Sequence, residues 1–150
     1  MKNNMDISIR EADIGDHCAI GNLVKHELGY SNIDDSLLFD RLKKIESDEN
    51  HMTYVAVVDT QIVGFIGLLK YITYEIDDGY LQILAMAVSQ EQQNVGIGSK
   101  LLRQAEQFAI ENGISHIKLT SNMKRLDAHI FYEHNDYEKK SYGFFKTLYE

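Results

Sequence analysis

The sequence predicts a mixed α/β domain built on one sheet. Three observations carry this. Apolar runs of strand type stand between segments of helical spacing in the order β-α-α-β-β-β-α-β-α-β-β. Consecutive strands linked by short turns read as antiparallel hairpins, whereas 80–120 reads as strand, helix, strand, so that pair should be parallel with a right-handed crossover. The 150 residues, 44% hydrophobic and 25% charged, are enough for a sizeable core and fit one domain over 1–150.

Each element has its own signal. ISIREA (7–12) alternates apolar and polar residues as a half-buried strand does. Asp13 is placed to cap a helix whose apolar positions are Ile14, Ala19, Ile20, Leu23, Val24 and Leu28, closed by Gly29. Within it Cys18, the only cysteine, is expected to be a buried small residue rather than a nucleophile. SNIDDSLLFDRLKKIES (31–47) gives a second helix with Leu37, Leu38, Leu42 and Ile45 on one face. TYVAVVD and QIVGFIGLLKYITY, joined at Asp59–Thr60, form a hairpin. Asp77-Asp78-Gly79 turns into YLQILAMAV (80–88), apolar on both faces like a strand inside a sheet. Ile97, Leu101, Leu102, Ala105, Phe108 and Ala109 keep helical spacing until Asn112–Gly113. HIKLTS (116–121) is a strand, RLDAHIFYEHN (125–135) a helix, and YEKKSY with FFKTLY a closing hairpin. With no proline, glycine and Asn/Asp supply the punctuation.

Composition narrows the function. The net charge is −8, and the basic pairs at 43–44, 124–125 and 139–140 are short and neighbour acids, so no nucleic-acid surface is expected. The acidic excess would instead draw a cationic small molecule or basic peptide. No apolar run approaches the ~20 residues that span a bilayer. The opening MKNNMDISIREAD lacks a secretory apolar core, and a single cysteine excludes an internal disulfide. A cytoplasmic protein without membrane attachment is expected. His129 and His134 lie about 140° apart around a helix and no HExxH is present, so no metal is expected.

The most informative stretch is QQNVGIGSKLL (92–102), with Gly96 and Gly98 at the first turn of a helix. A helix start presents unpaired N–H groups and about half a positive charge, and glycine lets a phosphate approach the backbone closely. The alternative use of these glycines is tight helix-on-sheet packing. A P-loop would need a glycine five residues before Gly98, which is missing. A dinucleotide fingerprint would need a third glycine where Leu101 stands, and an acid where Lys118 and Thr120 stand.

What remains is Gln93-Asn94-Val95-Gly96-Ile97-Gly98, a Q-x-x-G-x-G after a strand and opening a helix. It resembles the acetyl-CoA signature of the GNAT superfamily of N-acetyltransferases. VSQEQQNVGIGSKLL is similar to that family's V-D-P-x-x-R/Q-x-x-G-x-G-x-x-L-L, and DAHIFYEHNDYEKKSYGFFK to its A-x-x-F-Y-x-x-x-G-F/Y segment. IREAD and IVGFIGL match its N-terminal half more loosely. The resemblance implies a mostly antiparallel sheet with one parallel, splayed strand pair, flanked by helices, and acetyl-CoA as co-substrate.

It also implies roles for residues. The loop amides of Val95, Gly96, Ile97, Gly98 and Ser99, with Gln93 and Asn94 in the same signature, would hold the coenzyme diphosphate. The main chain of Met86, Ala87 and Val88 would pair with the pantetheine arm. Asn122 matches a coenzyme-contacting asparagine or is an ordinary cap, and Lys100 and Arg103 read as solvated residues near a nucleotide phosphate. Tyr132 matches the general acid beside the thioester sulfur. Gln82 stands where some members carry a glutamate base. It cannot take a proton, so Glu27, Glu75, Asp77, Asp78 or solvent would do so. An amine of pKa ~10.4 is free in only about 1 of 2,500 molecules at pH 7, so that proton must go somewhere. Asp136 departs from a glycine but tolerates left-handed backbone. Acceptor recognition would come from Glu27, Tyr30, Ser31, Asp34 and Asp35, with Asp77, Asp78 and Gln82. These acids suggest a cationic amine. A homodimer is compatible with the family. The rival reading is a coenzyme-binding sensor or partner module without chemistry.

Overall fold

Period-two segments pair and period-3.6 segments coil in the order the sequence predicts, up to the last strands. A computed structural model describes residues 6–150. Residues 1–5, the start of the stretch read for a leader, lie outside the described residues. The elements are β1 (Ile7–Glu11), α1 (His17–His26), α2 (Asp35–Ser47), β2 (His51–Val58), β3 (Gln61–Tyr71), β4 (Tyr80–Val88), α3 (Ile97–Glu111), β5 (Ile117–Leu119) and α4 (Leu126–His134). The chain divides into two compact units, Met1–Lys118 and Leu119–Glu150.

The five strands lie in sequence order, β1-β2-β3-β4-β5. The first three pairings are antiparallel, and β4 with β5 is the one parallel pair. The β2–β3 hairpin turns on Asp59 and Thr60 with φ 48° and 66°. Positive φ at both central residues is the two-residue geometry whose twist matches paired strands. The β3–β4 connection ends at Gly79, φ 69°, where an added Cβ would lie 2.2 Å from the Tyr71 carbonyl oxygen.

The first unit buries both faces of its central strands. On one face Ile20 and Leu23 of α1 meet Val55, Phe65 and Ala87, with Leu42 of α2 at the margin. Against the other lies α3, whose Ile97, Leu101, Leu102, Ala105 and Ala109 are buried. Each buried Ile, Leu, Val or Phe side chain contributes on the order of 1.5–3 kcal/mol by leaving water. Phe108 of α3 meets Tyr54 of β2 edge-on, with ring centroids 6.3 Å apart. Buried His17 donates through Nε2 to the Glu46 carboxylate, 3.0 Å away, tying α1 to α2.

Asp13 caps a short 3-10 turn at Ile14–Asp16 that leads into α1, and Asp16 accepts in return from the Asp13 amide. Asp16 is buried and also takes two hydrogen bonds from the Arg10 guanidinium, at 2.7 and 2.9 Å. That guanidinium, helped by the Asp13 amide, holds the Asp16 carboxyl below the usual aspartate range despite burial.

Several expectations need correction. Cys18 is exposed, because His17, Ile20, Gly21 and Leu23 define the inward face of α1 and Cys18 falls outside it. Ile14 and Leu37 are also exposed, and Leu38 alone is buried in α2. β4 is enclosed between β3 and β5, yet Leu84 is 45% exposed, so one face is less covered than its composition suggested. The closing hairpin is not formed. Residues 137–150 carry no helix or strand, and 138–150 are all exposed. A two-stranded hairpin is marginal alone, and its ladder forms only where an edge is supplied.

Two outcomes follow. Gly79→Ala should lower unfolding free energy by about 2–4 kcal/mol, because the new methyl meets a carbonyl in a left-handed turn; urea unfolding measures it. The lowered Asp16 carboxyl stabilises the fold above the ordinary aspartate range, and this is lost as pH falls through its folded value. Asp16→Asn should therefore cost about 1–3 kcal/mol at pH 7 and much less at pH ~3.

Candidate active site

Between β4 and α3 the chain makes a loop whose amide nitrogens are left open. A 3-10 turn at Gln90–Gln92 follows β4, held by the Gln92 amide on the Ser89 carbonyl at 2.8 Å. The side-chain amide of Gln93 then turns back and donates to the Val88 carbonyl at 3.1 Å. Asn94 adopts φ 68° and Gly96 φ 89°, so two left-handed residues flank Val95. Such alternation turns successive N–H groups to one side, the geometry of an anion nest.

Gly96 is the N-cap of α3, and no side chain caps this helix. The first bond of the helix runs from the Lys100 amide to the Gly96 carbonyl, 3.1 Å, leaving the N–H groups of Ile97, Gly98 and Ser99 ahead of the ladder. An added Cβ on Gly96 would meet nothing within 4 Å, so its glycine is required by φ and the space above it is open. Gln93, Asn94, Val95 and Gly96 are exposed, whereas Ile97 is buried and anchors the turn. A diphosphate fits this donor set, since the groups on offer are amides at the positive end of a 15-residue helix.

Gly64 of β3 sets where that helix start sits. An added Cβ would lie 3.1 Å from the Ala87 carbonyl oxygen, 3.4 Å from Leu101 Cδ1 and 3.5 Å from Ile97 Cγ2. Its absence lets the first turn of α3 settle against β3 beside the end of β4.

β4 carries a bulge. Gly67 faces Ala85 and Leu68 faces Ile83, so Leu84 has no partner on β3. Beyond it Met86, Ala87 and Val88 pair with Ile66, Phe65 and Gly64. β5 has three residues, and its side of β4 starts at the Leu81 amide, bonded to the His116 carbonyl at 3.0 Å. The last residues of β4 therefore run past the end of β5, with β3 as their strand partner. Gln82 lies before the bulge, opposite Leu69 and half-buried.

Four of the five acids expected at the acceptor side are engaged within the first unit, and Asp77 is exposed. Glu27 accepts from the Gln90 amide at 3.1 Å, joining the end of α1 to the glycine loop. Asp34 caps α2 through the Ser36 and Leu37 amides, and Asp35 pairs with Lys25. Asp78 accepts from the Ser115 amide at 3.0 Å. Tyr30 is 57% exposed beyond α1. Sequence reading did not foresee the cluster in which Lys118 Nζ lies 5.4 and 5.1 Å from the ring centres of Tyr71 and Tyr80. A Tyr71 hydrogen bond, followed by the charge of neighbouring groups, raises the Lys118 pKa and keeps it cationic. Its signal is aromatic residues on adjoining strands, visible only once β3–β4 register is known. Arg103 pairs with Glu106, at 3.0 Å.

In the second unit Tyr132 lies in α4, half-buried, with Phe131 and Tyr137 edge-on at 5.4 and 6.1 Å. Burial raises its pKa above the ordinary tyrosine value, opposed by Arg125, so the phenol keeps its proton. Asn122 lies in the turn before α4, its side-chain oxygen accepting from the Lys124 amide at 2.9 Å. Asp136 adopts φ 70°, the left-handed conformation expected where it replaces glycine.

No helix among the described residues is long and apolar enough to cross a membrane. Residues 22–137 match the model of the Acetyltransferase (GNAT) family. The chain is 30% identical over 132 residues to an aminoalkylphosphonate N-acetyltransferase of Salmonella typhimurium, covering 88% of this chain and 82% of that protein. A transcriptional regulator from Bacillus halodurans C-125 superposes with a TM-score of 0.86 at 26% identity, over 95% of this chain and all of that one. An aminoglycoside N-acetyltransferase, AAC(6')-Iy, in complex with CoA gives the same TM-score at 11% identity, over 98% and 97%, which is a likeness of fold. With its glycine loop, its bulged strand and its parallel pair, the chain belongs to the GNAT family of acetyl-CoA-dependent N-acetyltransferases.

Proposed function

We propose that this chain N-acetylates a small-molecule primary amine by direct attack, with Tyr132 as general acid. The observation that carries the reading is the uncapped start of α3, opened by left-handed Asn94 and Gly96 at the end of a bulged strand. When bound, acetyl-CoA supplies the acyl group and a thiol leaving group of pKa ~8.5. The amides of Val95 to Ser99 hold its diphosphate, and the Met86–Val88 main chain lies along its arm. Gln93 is better assigned to closing the loop through the Val88 carbonyl. Gln82 orients the acceptor or a water. The phenol of Tyr132, kept protonated by burial, gives its proton to the leaving sulfur.

The acceptor we propose is an aminoalkylphosphonate or a similar small amine rather than a strongly cationic one. Four of the five acids that pointed to a cation, Glu27, Asp34, Asp35 and Asp78, are occupied by amides and by Lys25. The relative with 30% identity acts on aminoalkylphosphonates. The lone cysteine suits a cytoplasmic setting.

Tyr132→Phe should lower kcat ~10²-fold with the KM for acetyl-CoA unchanged; an unaltered kcat removes Tyr132 from the chemistry. In a thiol-release assay, aminoalkylphosphonates should exceed polyamines and aminoglycosides in kcat/KM by at least ~10-fold. The reverse order restores the cationic acceptor. Calorimetric binding of acetyl-CoA without turnover of any amine in the panel would favour the sensor module.

A further inference from the structure

The last three strands of the sheet bring a lysine and two tyrosines together. Along β3, alternation puts Phe65, Gly67, Leu69 and Tyr71 on one face, the face on which Phe65 meets α1. β4 continues that face through Ala87 and Ala85, then past the bulge through Gln82, opposite Leu69, and Tyr80, opposite Tyr71. The rings of Tyr71 and Tyr80 stack with centroids 6.1 Å apart. His116, just before β5, lies against Tyr80 at 5.7 Å. Lys118 Nζ stands over both tyrosine rings, at 5.4 and 5.1 Å. Each ring is held by a neighbour, so the frame around the ammonium is fixed.

Aromatic faces stabilise an ammonium without cancelling its charge. Among the described residues Lys118 makes no ion pair, in contrast to Lys25, Lys139 and Lys140. The Tyr71 hydrogen bond is the largest influence that keeps it protonated, and the carboxylate of Glu75 adds least. A fixed and exposed cation without a carboxylate partner, in a chain of net charge −8, is a place for an anion brought by a ligand. We propose that Lys118, framed by Tyr71 and Tyr80, receives the anionic phosphonate head of the acceptor while Gln82 meets its amine end. This rests on the acceptor and the Gln82 role proposed above, and it adds what holds the far end of the molecule. Gln82 and Tyr80 are two residues apart on β4, about 7 Å along the strand, a span that a short alkyl chain bridges. Ammonium-to-oxyanion hydrogen bonds are among the stronger ones, and the same charge repels a cationic head. Lys118 is thereby a residue that sets acceptor specificity.

The test is steady-state kinetics of the full chain with aminoethylphosphonate and with ethanolamine, which has the same chain and a neutral head. Lys118→Met should raise the KM for aminoethylphosphonate at least ~10-fold with kcat nearly unchanged, and leave kcat/KM for ethanolamine within ~2-fold. Lys118→Arg, which keeps the charge, should recover most of the loss. Lys70→Met removes the same charge from the other face of β3 and should alter neither amine. An unchanged KM in Lys118→Met, or equal losses on both amines, overturns the proposal and leaves the acceptor assignment standing. A wild-type chain that does not acetylate aminoethylphosphonate refutes the acceptor assignment instead. Calorimetry with methylphosphonate, which carries no amine, then decides the anion site by itself. Binding that Lys118→Met abolishes supports it; no binding to the wild type, or binding that the variant retains, overturns it.

Discussion

A missing methyl group at Gly64 governs the geometry around which this protein is arranged. Ile97 and Leu101 approach that glycine to about the distance of van der Waals contact from where a Cβ would stand. A side chain there would push against the Ala87 carbonyl on one hand and against α3 on the other. The contact therefore fixes the helix start relative to the end of β4. Buried Ile97 carries the load on the protein side, while Gly96, one residue earlier, faces open space. Packing and ligand access are thus divided between adjacent residues. The loop can stay exposed because its footing is not.

From that footing the site's chemistry follows as electrostatics rather than as a set of reactive side chains. Dipolar amides sit at the helix start, and a strand end extends beyond its shorter neighbour. Acyl transfer from a thioester to an amine needs positioning, a proton for the sulfur and the removal of one from the amine. Four nearby acids serve the fold. Glu27 shows this most directly. A carboxylate at the end of α1 fastens the first residue of the 3-10 turn that leads to the glycines. The end of α1 and the approach to the glycine loop are joined by one hydrogen bond.

The legible part of the sequence was the part written in local pattern. Period-3.6 spacing marked α1, α2 and α3, alternation marked β1, and Gly96 announced the loop. Asp136 was correctly read as a residue able to stand in left-handed backbone. What local pattern misses is backbone conformation at non-glycine residues and anything set by pairing. Asn94 takes φ 68° without a glycine to signal it. The Gln93 side chain closing on Val88 is a reach of five residues back along the chain. The bulge at Leu84 exists only against β3, and Glu27 and Asp78 could be recognised as acceptors only once the distant Gln90 and Ser115 amides were placed. The final hairpin was misread for the same reason. FFKTLY has the composition of a strand, but composition does not supply a partner.

The central claim is that the N–H groups from Val95 to Ser99 receive the coenzyme diphosphate. Titration of ¹⁵N-labelled protein with acetyl-CoA, followed residue by residue, tests it most directly. The largest amide shifts should fall on Val95, Gly96, Ile97, Gly98 and Ser99, with smaller ones on Met86 to Val88. Saturable binding that leaves these loop amides unmoved while others shift would contradict the account.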